Sequence, residues 1–257
     1  MKDLIATYYF RTKDGVDASY AANAIREEQT TGTWTSLSTV NDKTAYVHDL
    51  DGSVEDLVEL PDGGYLIRIC FPHEIFEKVN IPQYLSVIAG NLFGRGKLEA
   101  VRLLDIDLPE NLCGCGPKFG IEGVRKIVGT EVSCRPHIGT IIKPKVGLNP
   151  KDTAQVAYEA ALGGLDLIKD DETLTNQTFC PLFERLEAVM DALDRAKDET
   201  GKQVLYAVNV TTGGDRIVEL AHKAVSAGAN MLMVDVLTAG FSAIQALAED
   251  PAINVPI

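Results

Sequence analysis

Gly139–Leu148 (GTIIKPKVGL) and Gly163–Glu172 (GGLDLIKDDE), separated by a helical insert, form the stretch whose reading decides the fold. In the first segment the apolar Ile141 and Ile142 run into Lys143 and Lys145. The second repeats that plan, with Leu165, Leu167 and Ile168 ahead of Lys169, Asp170, Asp171 and Glu172. The two-residue period of a strand puts Lys143 and Lys145 on one face, does the same for Lys169 and Asp171, and sends Asp170 the other way. Glu172 follows where the chain starts to leave the strand. In the insert, Asn149 is placed to cap a helix, Pro150 suits its first position, and apolar residues recur at helical spacing. The outcome is a strand-helix-strand unit whose polar residues collect at the carboxyl ends of its strands, where barrels and open parallel sheets carry their chemistry.

The alternation continues downstream. Strand-like runs at 138–142, 165–168, 204–209 (VLYAVN) and 230–235 (NMLMVD) are followed by helical patterns at 151–162, 183–199, 214–227 and 242–250. Continuous apolar strands alternating with amphipathic helices indicate a parallel βα architecture. Upstream, 4–10 (LIATYYF), 44–50 (TAYVHDL), 65–71 (YLIRICF) and 97–108 (KLEAVRLLDIDL) read as strands, and 17–28 and 81–93 as helices. That is the content of a small α+β sandwich. Between the two regions lies a segment with Pro109, Pro117 and several glycines, which reads as a connection. The expected organisation is an α+β amino-terminal domain over 1–109, a connecting segment over 110–134 and a βα domain over 135–257.

Composition narrows the function class. A chain of 257 residues with 46% hydrophobic content can bury a substantial core. No apolar run is long enough to span a bilayer, and MKDLIATYYF lacks a signal-peptide pattern, so the reading is a cytoplasmic protein with no membrane partner. A net charge of -13 opposes non-specific binding to the phosphate backbone of nucleic acids. The 5 cysteines (Cys70, Cys113, Cys115, Cys134, Cys180) are odd in number, and Cys113 and Cys115 are too close for a zinc knuckle, so reduced thiols are expected. His48, His73, His137 and His222 are scattered and suggest no histidine metal site.

The run from Lys169 to Glu172 needs a physical reason, because charges at the end of an apolar strand are costly unless they pair or bind something. One reading is a salt-bridged rim. The other is a hard, oxygen-rich site suited to Mg²⁺, although two carboxylates bind that ion weakly and a protonated lysine repels it. This second reading becomes coherent if Lys169 carries CO2 as a carbamate, an anionic oxygen donor. A buried lysine loses its proton readily, and the neutral amine is the form that reacts with CO2. Two other segments are ambiguous by themselves. Residues 26–37 (REEQTTGTWTSL) read as a polar loop around Trp34, and 88–94 (IAGNLFG) as a helix end with Asn91 at a cap or turn.

Taken together, IIKPKVGL at 141–148 followed by GGLDLIKDDE at 163–172 resembles the large subunit of ribulose-1,5-bisphosphate carboxylase/oxygenase, RuBisCO, in order and in separation. The resemblance runs along the whole chain. It implies a ferredoxin-like α+β domain followed by the first half of a (β/α)8 TIM barrel, ending after about four βα units. It implies that Lys169 is the carbamylated lysine, and that Asp171 and Glu172 complete the protein ligands to Mg²⁺. Lys143 would handle protons on the bound sugar, with Lys145 beside it. Residues 26–37 look like a loop that brings Glu28, Thr33 and Trp34 to the active site of the adjacent subunit, Glu28 toward a mobile lid and the other two toward a phosphate. Asn91 would bond substrate across the same interface. A homodimer, or a higher assembly of dimers, with shared active sites follows. Asn209 and the stretch 235–241 have family counterparts that support the site.

The implied reaction carboxylates ribulose 1,5-bisphosphate to 3-phosphoglycerate, with O2 competing against CO2. Mg²⁺ polarises the sugar, the Lys169 carbamate accepts the C3 proton, and Lys143 returns a proton to the final carbanion. An HxHR-type segment, a lid lysine and glycine-rich phosphate loops belong to the family and are not found in this sequence, so the expectation is an inactive fragment of a longer subunit. One alternative is a RuBisCO-like enolase or isomerase of the methionine-salvage type. Another is a non-catalytic partner that docks on intact subunits. The presence of Glu28, Thr33, Trp34, Asn91, Lys143 and Lys145 favours the carboxylase. The KVGL and AGNLFGRG wording and the short leader resemble archaeal form III, which implies recycling of nucleotide ribose in AMP metabolism rather than the Calvin cycle.

Overall fold

The computed structural model describes residues 2–32, 39–42, 44–114 and 116–257. The chain divides into two compact units, Met1–Gly114 and Cys115–Ile257.

In the first unit the order is β1 (Leu4–Thr12), α1 (Ala18–Gln29), β2 (Ser53–Glu59), β3 (Tyr65–Phe71), α2 (Ile81–Ala89) and β4 (Leu98–Asp107). The strands pair antiparallel in the order β2-β3-β1-β4, the ferredoxin-like arrangement. Alternation in β1 explains the layering: Leu4, Ala6, Tyr8 and Phe10 are buried and the residues between them are not. Ile67, Ile69 and Phe71 of β3 share that core with Ala21, Ala22 and Ile25 of α1 and with Tyr84 and Ile88 of α2. Asp17 caps α1 by accepting from the Tyr20 amide at 2.8 Å. The buried Tyr8 hydroxyl donates to the Ile88 carbonyl at 2.6 Å and ties the sheet to α2.

One expected strand is corrected here. Residues 44–50 form no strand, and a 3-10 turn occupies Ala45–Leu50. The strand that follows is β2 at one edge of the sheet, whose inward residues Val54 and Leu57 stand three apart rather than two or four. A bulge between Val54 and Asp56 inserts the extra residue and breaks the alternation by which strands are recognised.

The second unit runs α3 (Gly120–Val128), β5 (Gly139–Ile141), α4 (Pro150–Leu162), β6 (Leu167–Lys169), α5 (Leu182–Thr200), β7 (Leu205–Asn209), α6 (Ile217–Ser226), β8 (Met231–Met233), α7 (Val236–Ala239) and α8 (Phe241–Glu249). Its four strands lie side by side in chain order, all parallel, as successive βα units require. Every residue of β7 is buried, and Ala157, Ala161, Leu186, Val189, Ala221 and Leu247 bring the helices onto the sheet. Asn149 caps α4 as expected, accepting from the Asp152 amide at 2.9 Å. No helix among the described residues is long and apolar enough to cross a membrane. Cys70, Cys113, Cys134 and Cys180 are free thiols, and Cys115 lies outside the described residues.

Asp166 pins the amino ends of the strands. Arg135 grips its carboxylate through two bonds of 2.6 Å, and the Ile138 amide adds a third at 2.9 Å. The Asp166 amide donates to the Ile138 carbonyl and its carbonyl accepts from the Leu205 amide, so β5, β6 and β7 share this anchor. The hydrogen bonds from Arg135 outweigh burial and hold the Asp166 carboxyl at about 2. The stability it contributes is therefore complete above the ordinary aspartate value of about 4 and is lost as pH falls from there through about 2. Asp166→Asn should cost about 2 kcal/mol in chemical denaturation at neutral pH. The deficit should vanish in strong acid, and an equal deficit at both pH values would show that the charge on Asp166 is not what anchors the strands.

Candidate active site

Where β6 ends, four consecutive polar side chains follow one another, and Asp170 alone of them turns inward. Asp170 turns into the core and is fully buried with Arg185 of α5. Its Oδ2 accepts from Arg185 Nη2 at 3.1 Å and Nε at 3.3 Å and from the Asn209 amide at 2.9 Å, while Oδ1 accepts from the Tyr206 hydroxyl at 2.5 Å. The remaining Arg185 donors reach the Cys180 and Thr175 carbonyls, each at 2.8 Å. Burial opposes the charge on Arg185, but the Asp170 carboxylate prevails and the guanidinium stays protonated. Burial also pushes the Asp170 carboxyl up, against the pull of Arg185 and the Asn209 amide.

The opposite face carries the two lysines and the other two acids. Lys169 Nζ donates to Glu172 Oε1 at 2.7 Å and to the Asp170 carbonyl at 2.9 Å, and lies 3.5 Å from Met233 Sδ. Lys143 Nζ donates to Asp171 Oδ2 at 2.6 Å. Asp171 Oδ1 is already taken by the Thr173 hydroxyl and amide, at 2.8 and 3.1 Å. The bond from Lys143, then that from the Thr173 amide, hold the Asp171 carboxyl well below the usual range. Lys169 lowers Glu172 in the same way. Structure thus brings Lys143, Lys169, Asp171 and Glu172 together at one strand end.

Lys143 and Lys145 are not strand residues, contrary to the two-residue spacing. β5 ends at Ile141, Ile142 still donates to the Lys169 carbonyl at 3.1 Å, and Pro144 then has no N–H with which to continue the ladder. Lys145 is exposed in the turn that follows, without a polar partner among the described residues. In the first unit, Glu28 sits near the end of α1 and pairs with Arg95 at 2.9 Å. Asn91 precedes a 3-10 turn, exposed and without a capping bond from its side chain. Thr33 and Trp34 lie outside the described residues.

Asn209, at the end of β7, donates from Nδ2 to the carbonyls of both Asp171 and Glu172, at 3.3 and 3.0 Å. Arg185 and Tyr206 were not foreseen in the sequence. The available signal for Arg185 was its place on the apolar stripe of α5, between Leu182 and Leu186 and in line with Val189.

Among the described residues, the group of three or more His, Cys or carboxylate side chains close enough to hold a metal is Asp3, His73 and Glu74. Both carboxylates meet the same His73 Nδ1 at 3.1 Å, so that trio is a hydrogen-bonded surface cluster. The end of β6 fits a hard divalent cation better. Its donors are carboxylate oxygens, and after Thr173 the second oxygen of Asp171, Oδ2, is the one that Lys143 holds and would share with a cation. A carbamate on Lys169 would replace the ammonium facing Glu172 with a further anionic oxygen.

Residues 1–112 match the family model for the ribulose bisphosphate carboxylase large chain, N-terminal domain, and residues 120–254 match that for its catalytic domain. The chain is 38% identical over 253 residues to the ribulose bisphosphate carboxylase of Archaeoglobus fulgidus, covering 96% of this chain and 57% of that protein. It is also 38% identical, over 268 residues, to a ribulose bisphosphate carboxylase-like protein of the same organism, covering 99% of this chain and 59% of that one. The solved structure of a dimeric archaeal Rubisco from Hyperthermus butylicus matches with a TM-score of 0.84 at 36% identity, over 94% of this chain and 56% of that one. The chain spans a little over half the length of these relatives. With both domain models matched in order, this chain belongs to the ribulose bisphosphate carboxylase large chain family and carries its amino-terminal domain and part of its catalytic domain.

Proposed function

We propose that this chain serves, within a complete subunit, the carboxylation of ribulose 1,5-bisphosphate to 3-phosphoglycerate, with O2 as the competing substrate. The observation that carries the reading is the convergence of Lys143, Lys169, Asp171 and Glu172 at the end of β6. Asp171 Oδ2, Glu172 and a carbamate oxygen on Lys169 would hold Mg²⁺. When bound, that ion supplies Lewis-acid polarisation of the sugar's oxygens. Lys143, already a donor to Asp171, is placed to give and take protons beside the reacting carbons, and Lys145 adds positive charge next to it. Glu28, Thr33, Trp34 and Asn91 would complete the pocket of a neighbouring subunit in a homodimer, in keeping with the dimeric relative. We place the enzyme in the cytoplasm, recycling the ribose of AMP in the manner of form III. Because the matched carboxylase is longer, turnover is assigned to the complete subunit and not to this chain alone.

A second reading is favoured by the equal identity to the carboxylase-like protein, namely an enolase or isomerase acting on a related sugar phosphate. The product separates the two. A complete subunit given ribulose 1,5-bisphosphate and labelled CO2 should place label in 3-phosphoglycerate, whereas an unlabelled isomer would support the second reading. Lys143→Met should lower carboxylation by at least about a hundredfold, the usual worth of a positioned acid or base. In the chain itself, labelled bicarbonate with Mg²⁺ should give a carbamate carbon resonance by NMR that grows as pH rises, since only the neutral amine adds CO2. Lys169→Ala should abolish the resonance and Lys145→Ala should leave it. A signal that persists in Lys169→Ala would place the adduct on another amine.

A further inference from the structure

We propose that Asn209, backed by the buried Asp170–Arg185 pair, is a positioning residue that presets the carboxylates of Asp171 and Glu172 for a divalent cation. The inference rests on the cation site proposed above and adds how that site is held.

β6 ends at Lys169, so the residues that carry both carboxylates have left the sheet and no longer share its ladder. Two neighbouring acids on a free turn would repel one another and splay. Asn209 prevents this from the next strand. It is fully buried, its Nδ2 donates to the carbonyls of Asp171 and Glu172 at 3.3 and 3.0 Å, and its amide donates to Asp170 Oδ2 at 2.9 Å. One side chain and one amide therefore fix three consecutive residues. Asn209 is fixed in turn, because its Oδ1 accepts from the Thr211 amide at 3.0 Å.

The layer beneath adds rigidity without adding net charge. Asp170 is matched by Arg185, and the Tyr206 hydroxyl bridges them, donating to Asp170 Oδ1 at 2.5 Å and accepting from Arg185 Nε at 3.2 Å. Outer groups that hold a metal's ligands commonly govern its affinity tenfold to a hundredfold. A role confined to stability would leave that affinity unmoved.

The test uses the 257-residue chain, labelled bicarbonate and a titration with Mg²⁺, following the carbamate resonance, with a thermal melt of each variant in the absence of the ion. Asn209→Ala should raise the Mg²⁺ concentration for half-maximal signal by about tenfold to a hundredfold. At saturating bicarbonate without Mg²⁺ its signal should equal that of the unsubstituted chain. Tyr206→Phe, which keeps the ring, should shift the titration in the same direction by a smaller factor. A folded Asn209→Ala with an unshifted titration overturns the proposal. Where Asn209→Ala shows no cooperative melt, Tyr206→Phe decides in the same way. Absence of any Mg²⁺-dependent signal in the unsubstituted chain would instead overturn the cation site itself, and this inference with it.

Discussion

The buried ion pair between Asp170 and Arg185 decides which way the end of β6 faces. Both side chains are completely out of solvent, and the pair is enclosed by Tyr206, the Asn209 amide and the carbonyls of Cys180 and Thr175. Two desolvated charges gain little net stability from each other, yet removal of one partner strands the other at a cost of about 3–5 kcal/mol. Asp170 is thus committed inward. Alternation then commits Lys169 and Asp171 to the opposite side, where Lys143 and Glu172 meet them.

The same strand is fastened at both ends by an aspartate bound to an arginine, and the two fastenings differ. Asp166 at the amino end joins three strands through a partly exposed Arg135 and sits away from the lysines. Asp170 at the carboxyl end joins β6, α5 and β7 and lies directly under the proposed cation ligands. Structural support and the proposed chemistry would thus be divided along one strand, as is usual where the carboxyl ends of parallel strands carry the site.

Much of this was legible in the residues. The alternation in LIATYYF gave β1, the Asn149-Pro150 start gave α4, and the two-residue period sent Asp170 away from Lys169 and Asp171. The failures have physical causes. β2 was hidden because its bulge spaces Val54 and Leu57 against the strand period. The two-residue spacing puts Lys143 and Lys145 on β5, because spacing alone does not register that Pro144 ends the ladder. Arg185 does not stand out in the sequence, because a charge on an apolar stripe looks like an interruption until its partner across the sheet is known. The roles proposed for Asn91, Glu28, Thr33 and Trp34 would depend on a neighbouring subunit, and no pattern within one chain reveals which of its loops will face another.

The account stands on Lys169, Asp171 and Glu172 sharing one cation once Lys169 has taken up CO2. Anomalous diffraction from crystals of the chain grown with bicarbonate and Mn²⁺ in place of Mg²⁺ tests this most directly. The expected map has a single strong peak within about 2.3 Å of oxygens from all three side chains, with Asp170 still on Arg185. A peak elsewhere, or none, with the Lys169 amine still resting on Glu172, would contradict it.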